Sequence, residues 1–483
     1  YQHKCPFVVC LELCAKMDFD DLDEAGGRIY DIIIYGATGF AGRCMVEHLD
    51  GLLSAPEAPT IRWAVAGRNV DKLREVAGRC KTEPAVYAAE SEEEIKEMVG
   101  ECQVLVQAAA PYLLVGEVFV EACVEAGTHC IDISGEVVWV GRMIDKYHAK
   151  AKEKGVMIVN CAGVMCSIDD FSMYLLAKKL GPLQSFQEYV FQCGGMGGGT
   201  SYSAVAEMDY MDNEDLEKYI SPYTFGGAPK DGVLRKEDDD ALEVQEDALC
   251  EGLFLFPHHQ SHCGHRVLRR TCMLFEQNAS EEEPAAALAS SSGLKLLVTD
   301  ASPNRSQAEP ACLAARRCSD MRESGKRRTA MEEAVKRGQW AKPGQGPPKE
   351  TRALSSGRSI AVGQGKNGEW AYVNCTTPDP GYEVTSIFII TAALVMVNEM
   401  DALKPAERGG VLTPAFAMHG SSWLEQVQAA SFALSDGKKT VFEVNDGKPD
   451  PSVIWEALKE IGTAMAKLGE GFASGKLQLF ADP

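Results

Sequence analysis

At 483 residues the chain exceeds what one ordinary hydrophobic core holds, so two domains with room for an insertion are expected. Hydrophobic residues at 45% and charged residues at 24% fit a soluble globular protein, and a net charge of -22 argues against nucleic acid as a partner. The 17 cysteines are scattered without a repeated spacing, which reads as reduced, buried thiols in a cytosolic-type protein rather than a disulfide framework.

Residues 1–29 form an N-terminal extension in which the apolar stretch Cys5 to Ala15 runs into the acids Asp18 to Glu24, without the flanks of a signal peptide. From residue 31 short β-branched runs alternate with amphipathic stretches. Strands are expected at Asp31–Tyr35, Ile61–Ala66, Ala85–Ala88, Gln103–Ala108, His129–Ile133 and Val156–Asn160, with helices near 41–50, 70–79, 91–100, 115–126 and 137–153. Six strands joined by five crossovers predict an α/β fold over 30–165, a doubly wound parallel sheet of Rossmann type.

A helix at Asp169–Leu180, a strand at Ser185–Cys193 and the loop Gly194 to Gly199 begin a second, α+β domain assigned to 166–256 and 350–483. The glycine-rich loop reads as a flexible hinge, with close backbone approach to a ligand as the alternative. Residues 257–349 are rich in Ser, Ala, Arg and Pro without sustained periodicity and are expected to be a disordered, low-complexity insertion. Order resumes with strands at Ser359–Val362 and Trp370–Cys375 and an apolar helix from Tyr382. A last amphipathic helix, Ser452–Leu468, would bury Ile454, Leu458, Ile461 and Met465. The longest apolar run, Val384–Val397, has the length of a buried helix, so no membrane span is expected.

The loop Gly36-Ala37-Thr38-Gly39-Phe40-Ala41-Gly42 follows a strand and opens a helix, the setting in which glycines cradle a dinucleotide pyrophosphate. Gly36 allows the tight turn, Gly39 lets backbone approach the diphosphate, Gly42 lets helix and strand pack closely, and Thr38 adds a hydroxyl. The second strand ends at Arg68 with Lys72 one turn on, where an NAD enzyme would carry an acid; two cations there favour NADP(H). Ala109 and Pro111 shape the nicotinamide edge, and Tyr112, Ser134 and Glu136 are the candidate proton donors at the same edge. Ser134 or Glu136 could equally cap the following helix. Tyr147 reads as a packing residue, and Tyr174 with Lys178 lies outside the sheet's catalytic edge. His258, His259, His262, Cys263 and His265 cluster without a partnering cysteine pair, and no metal site is expected.

Together these residues resemble the saccharopine dehydrogenase-like oxidoreductases, the group that includes trans-acting enoyl reductases. The resemblance rests on Tyr35 to Gly42, Ala66-Gly67-Arg68 with Lys72-Leu73, Ala109 to Tyr112 and Asp132 to Glu136, and resumes at Asp379 to Tyr382 and Gly409 to Ala415. It implies NADP(H) as cofactor and an oxidoreductase reducing a lipid-linked carbonyl or enoyl substrate in lipid or glycolipid metabolism. A small, lipid-like substrate is the implied partner, and a cytoplasmic protein with peripheral contact to lipid droplets or membranes the implied setting. A non-catalytic NADP(H) sensor or scaffold at lipid droplets is the alternative. Between about 231 and 350 no family pattern is recognisable.

Overall fold

The computed structural model describes residues 27–210, 218–219, 221–229, 243–278, 294–319, 324–435 and 437–480. The expected extension up to residue 26 lies outside them, as do parts of the 257–349 segment. Two seven-stranded sheets organise the rest. The first contains β1 (Tyr30–Tyr35), β2 (Trp63–Gly67), β3 (Ala85–Ala88), β4 (Cys102–Gln107), β5 (His129–Asp132) and β6 (Met157–Val159). All are parallel, in the order 6-5-4-1-2-3, so the expected doubly wound sheet is present. The order reverses between β1 and β4, and loops leaving their carboxyl ends diverge to open the crevice in which such folds take ligands.

β1 reads Tyr-Asp-Ile-Ile-Ile-Tyr because both its faces are covered: Ile32 and Ile34 enter one core, Ile33 and Tyr35 another. The crossover helices are α1 (Phe40–Leu53), α2 (Val70–Ala77), α3 (Glu92–Gly100), α4 (Tyr112–Val115), α5 (Glu117–Ala126) and α6 (Val137–Glu153). α7 (Val164–Leu180) then leads into β7 (Leu183–Cys193) of the second sheet, and α8 (Gly198–Tyr210) follows.

The second sheet is mixed, with β8 (Gln245–Glu246), β9 (Phe254–Pro257), β10 (Lys295–Ser302), β11 (Ser356–Gly365), β12 (Trp370–Thr377) and β14 (Val441–Asp446) around β7. Its order is 14-12-11-7-10-9-8, and only β7 and β10 pair in parallel. β13 (Gly410–Leu412) does not join it: it returns to the first sheet as a seventh parallel strand beside β6. The expected assignment of all of 350–483 to the second domain is corrected accordingly.

The expectation of disorder over 257–349 is also corrected for its described residues, 257–278, 294–319 and 324–349. α9 (Ser261–Asn278) is buried along most of its length and β10 pairs with β7 and β9, with α10 (Arg305–Ser319) and α11 (Ser324–Lys336) beyond them. α9 reads as polar because of Arg266, Arg269 and Arg270, yet all three are buried. Their guanidiniums donate to loop carbonyls, Arg266 to Ser221 at 3.0 Å, Arg269 to Pro222 at 3.1 Å and Arg270 to Val411 at 2.6 Å. Such bonds let charged side chains serve a core position.

The apolar run forms α12 (Thr385–Asn398), entered through a π-turn at Pro380–Val384. Every residue from Thr385 to Met396 is buried, and the helix shares one core with α1 and the β1 and β4 side chains of the first sheet. The 19-residue stretch Pro380–Asn398 is long and apolar enough to span a bilayer, but burial of 83% of its apolar window explains the composition as core. The last helix, α13 (Pro451–Ala473), buries Ile454, Ala457, Ile461 and Leu468 against the second sheet. Met465, expected in that stripe, is 58% exposed because the buried face turns away from it.

Candidate cofactor and active site

Gly36 ends β1 with φ +87°, a conformation that costs a glycine nothing. A Cβ there would stand 2.7 Å from the Ala109 amide nitrogen, and one on Gly42 would stand 2.2 Å from the Gly36 carbonyl oxygen. The loop is therefore drawn tight against the end of β4 and the start of α1. Gly39 donates its amide to the Gly36 carbonyl at 2.9 Å and occupies the cap position of α1, where no side chain accepts the first amides. Those free donors, beside the half-buried Thr38, suit a diphosphate. Phe40 opens α1, and its ring lies edge-on to Tyr382 at 4.7 Å.

Beyond β2, Arg68 and Lys72 are exposed, and neither side chain has a hydrogen-bond or ion-pair partner among the described residues. Asn69 caps α2 by accepting the Lys72 amide at 3.0 Å, which leaves both cationic side chains free for an added ribose phosphate. The cradle, the open amides and these two cations fit NADP(H).

At the carboxyl edge of β4 and β5 the sequence-predicted residues do come together. Glu136 accepts the amides of Tyr112 and Leu113 at 2.8 and 2.7 Å, so both its oxygens cap α4, which starts after Pro111. Burial raises its carboxyl above the ordinary range, against the hydrogen bonds that favour ionisation. Tyr112 is buried against Trp139, and its hydroxyl donates to the Gln107 carbonyl at 3.1 Å. Ser134 is buried and gives its amide to Asp132 at 2.8 Å. Burial pushes Asp132 up to about 6, despite hydrogen bonds from Ser134 and Asn160. Gln107 donates to the Ala109 carbonyl at 3.0 Å, while its Oε1 and the Oδ1 of Asn160 are buried without a protein partner. These two acceptors form a polar floor with unused capacity, suited to a carboxamide.

Segments beyond the first sheet close over the glycine loop. Tyr382 accepts the Gly197 amide, and Gly198 donates to the Gln345 carbonyl at 2.9 Å. Arg43, on α1, donates to the Thr38 carbonyl at 2.7 Å and to the Gly344 carbonyl at 2.9 Å, tying the 342–348 segment over the glycine loop. A Cβ on Gly195 would lie 2.8 Å from Pro347 and one on Gly346 would lie 2.4 Å from Phe40. Gly195, Gly197 and Gly198 thus serve close approach of one loop to another rather than an open hinge. A buried ionic bridge reinforces the closure: Glu383 binds His48 at 2.9 Å and Arg352 at 2.7 Å. Burial raises the Glu383 pKa, but the His48 hydrogen bond and the Arg352 charge outweigh it and leave the group below the ordinary range.

Sequence reasoning missed a second carboxyl group at the domain junction. Asp169 on α7 and Glu188 on β7 are buried together and line a recess with Ser359, Thr377 and Pro380. Burial lifts Glu188 to about 7, with Ser359 donating to it. A signal existed: Glu188 stands in phase with Phe186 and Val190, a charge on the inward face of an alternating strand. The histidine cluster divides, with His258 and His259 beside Asp300 while Cys263 turns to other sulfurs. Tyr147 donates to Glu117 at 3.2 Å from a buried position, and Tyr174 stacks on Phe275.

Residues 32–159 match the saccharopine dehydrogenase NADP binding domain. The chain is similar to a lipid droplet localized protein of Caenorhabditis elegans, 36% identical over 179 residues that are 35% of this chain and 41% of that one. It is also similar to a saccharopine dehydrogenase-like oxidoreductase of Bos taurus, 32% identical over 209 residues, 40% of this chain and 48% of that one. The matched stretch therefore spans less than half of either relative. A longer alignment joins it to a trans-acting enoyl reductase of Mycobacterium tuberculosis, 25% identical over 446 residues, 84% of this chain and 97% of that protein. The glycine cradle, the free cations and the strand order already described lie in or beside the stretch 32–159 that matches the saccharopine dehydrogenase NADP binding domain, and the chain as a whole is similar to saccharopine dehydrogenase-like oxidoreductases.

Proposed function

We propose that the chain is an NADPH-dependent reductase of an apolar, lipid-linked carbonyl or enoyl substrate. The observation that carries this reading is the mouth of the site: Leu114 and Val115, three and four residues beyond Pro111, are 66% and 43% exposed. Met196, in the covering loop, is 49% exposed. Large apolar side chains held in water beside a polar floor suit a substrate with an apolar body and one reactive polar group. The names of the enoyl reductase and lipid droplet relatives support the same substrate class and a peripheral setting at lipid droplets. NADPH, when bound, supplies the hydride. The chain's own part is to hold the reacting group at the β4–β5 edge and deliver a proton. Ser134, with Asp132 and Asn160 behind it, is the proposed donor. Tyr112 and Glu136 become positioning residues, because Glu136 caps α4 and the Tyr112 hydroxyl is bonded to the Gln107 carbonyl. The domains are proposed as 30–165 with β13, and the remainder built on the second sheet.

That commitment of Tyr112 and Glu136 also favours a second reading, an NADP(H)-binding sensor or scaffold without turnover. NADPH oxidation followed over a panel of 2-enoyl and keto lipids separates the two. Turnover that falls in S134A, with NADPH affinity kept, supports the reductase. A raised melting temperature with NADPH but no oxidation of any panel member overturns it in favour of the sensor.

A further inference from the structure

We propose that Cys161, Cys166 and Cys263 form a binding site for a single soft d10 cation, Zn2+ or Cu+. The three come from separate elements: Cys161 lies just past β6, Cys166 in the first turn of α7 and Cys263 in the first turn of α9. Cys263 Sγ is 3.9 Å from Cys161 Sγ and 3.8 Å from Cys166 Sγ, and all three sulfurs lie within 4.8 Å of one another. Metal–thiolate bonds of about 2.3 Å set sulfurs about 3.8 Å apart on a tetrahedron and about 4.0 Å apart in a trigonal plane. The two separations from Cys263 fall in that range, whereas a disulfide would need about 2.05 Å.

Buried cysteines usually act as small apolar fillers. Among the described residues, however, this is the one place where three cysteine sulfurs converge on each other. Cys161 holds φ +60°, a left-handed backbone that a non-glycine residue adopts at a cost and that sits at ligand clamps elsewhere. Charges of both signs reach the sulfurs: Arg266 favours a thiolate at Cys263, while the buried carboxyls of Asp169 and Glu207 oppose it and a bound cation would offset them. The amino-terminal turns of α7 and α9 supply two of the three ligands, and the buried Arg266 stands three residues beyond Cys263. Three thiolates complete a trigonal Cu+ site and leave Zn2+ one further position. Cys161 directly follows Asn160 of the polar floor, so the ion would pin β6, α7 and α9 behind the cofactor edge.

The test uses the full-length chain, purified under reducing conditions and stripped of metal. Titration with Co2+ is expected to give tetrahedral and thiolate-to-cobalt absorption bands saturating at about one equivalent. Competition by Zn2+, and by Cu+ against a Cu+-selective chelator, then identifies the preferred ion. C263S is expected to lower affinity by at least about tenfold, whereas C80S, outside the cluster, leaves it unchanged. Absence of the cobalt bands in the unaltered chain overturns the proposal even if C263S fails to fold. Unchanged metal binding in C263S overturns it too, as does a non-reducing mass spectrum showing two of the three sulfurs joined as a disulfide after purification without oxidant.

Discussion

Replacing Gly42 by alanine tests the cradle where the geometry is least forgiving. The added Cβ would lie 2.2 Å from the Gly36 carbonyl oxygen, 2.8 Å from the Gly36 carbonyl carbon and 3.0 Å from the Ala37 Cα. All three are backbone atoms, so no side chain can swing aside. An unstrained carbon–oxygen contact is about 3.3 Å, so the loop must retreat from α1 by about 1 Å. Overpacking of this kind costs about 1–3 kcal/mol, and a loop displaced by that amount loses its alignment with the pyrophosphate. At about 1.4 kcal/mol per decade, NADPH affinity should fall about 10- to 100-fold. NADPH fluorescence titration reads the affinity, and melts without nucleotide read any loss of fold. Gly100, at the end of α3, provides the control: nothing lies within 4 Å of its added Cβ, so G100A should bind NADPH as the unaltered chain does. Binding by G42A within about twofold of the unaltered chain would refute the assignment of this loop to the pyrophosphate.

R68A removes a free guanidinium from the end of β2 and should weaken NADPH about 10-fold or more while leaving NADH unchanged, since a charge-assisted bond contributes about 1.5–3 kcal/mol. Equal losses for both nucleotides in paired titrations would refute the ribose-phosphate role. The buried carboxyls set the pH response. Burial raises Asp132 to about 6, Asp170 and Glu188 to about 7 and Glu207 to about 8, so these carboxyls bind more protons in the folded chain than in the unfolded one from about pH 4 to 8, whereas His129, His148 and His259, pushed down to about 4 by burial, act oppositely below about pH 6.5. Stability from these carboxyls is therefore present at low pH and is lost as pH rises through the raised values. Glu117 and Glu383, held low, act oppositely only as pH falls below the ordinary carboxylate range. Melting temperatures should drop by a few degrees between pH 6 and 8.5, and a steady rise over that interval in scanning fluorimetry would contradict the assignment.

Within the first sheet β1, β4 and β6 were legible as β-branched runs between turn and helix signals, and β2, β3 and β5 by their place in the alternation of strands and helices. The glycine loop was legible for the same local reason. α9 was not: its arginines are paid for by carbonyls of residues 221–225 and 411, partners that no window of sequence contains. β13 escaped because three residues carry no periodicity, and its place beside β6 is set by a return from the other domain. Tyr112 and Glu136 were found at the right edge by position, but their hydrogen bonds became visible only when α4 and α6 were brought together. The stripe on α13 differs at Met465 because the buried face follows Ile454, Ile461 and Leu468, spaced seven apart with Ala457 beside them, and the residue four beyond Ile461 falls outside it.

The return of Gly410–Leu412 to the first sheet has a bearing on how the chain is made. A ribosome releases β1 to β6 early, but the strand that flanks β6 emerges some 250 residues later, after β7 to β12. Until then the β6 edge faces solvent as an unpaired parallel strand, an open template for a wrong partner. The nascent nucleotide-binding half is thus an incomplete body that chaperones must tolerate, and its last strand arrives only when the half that covers the cofactor has almost been synthesised.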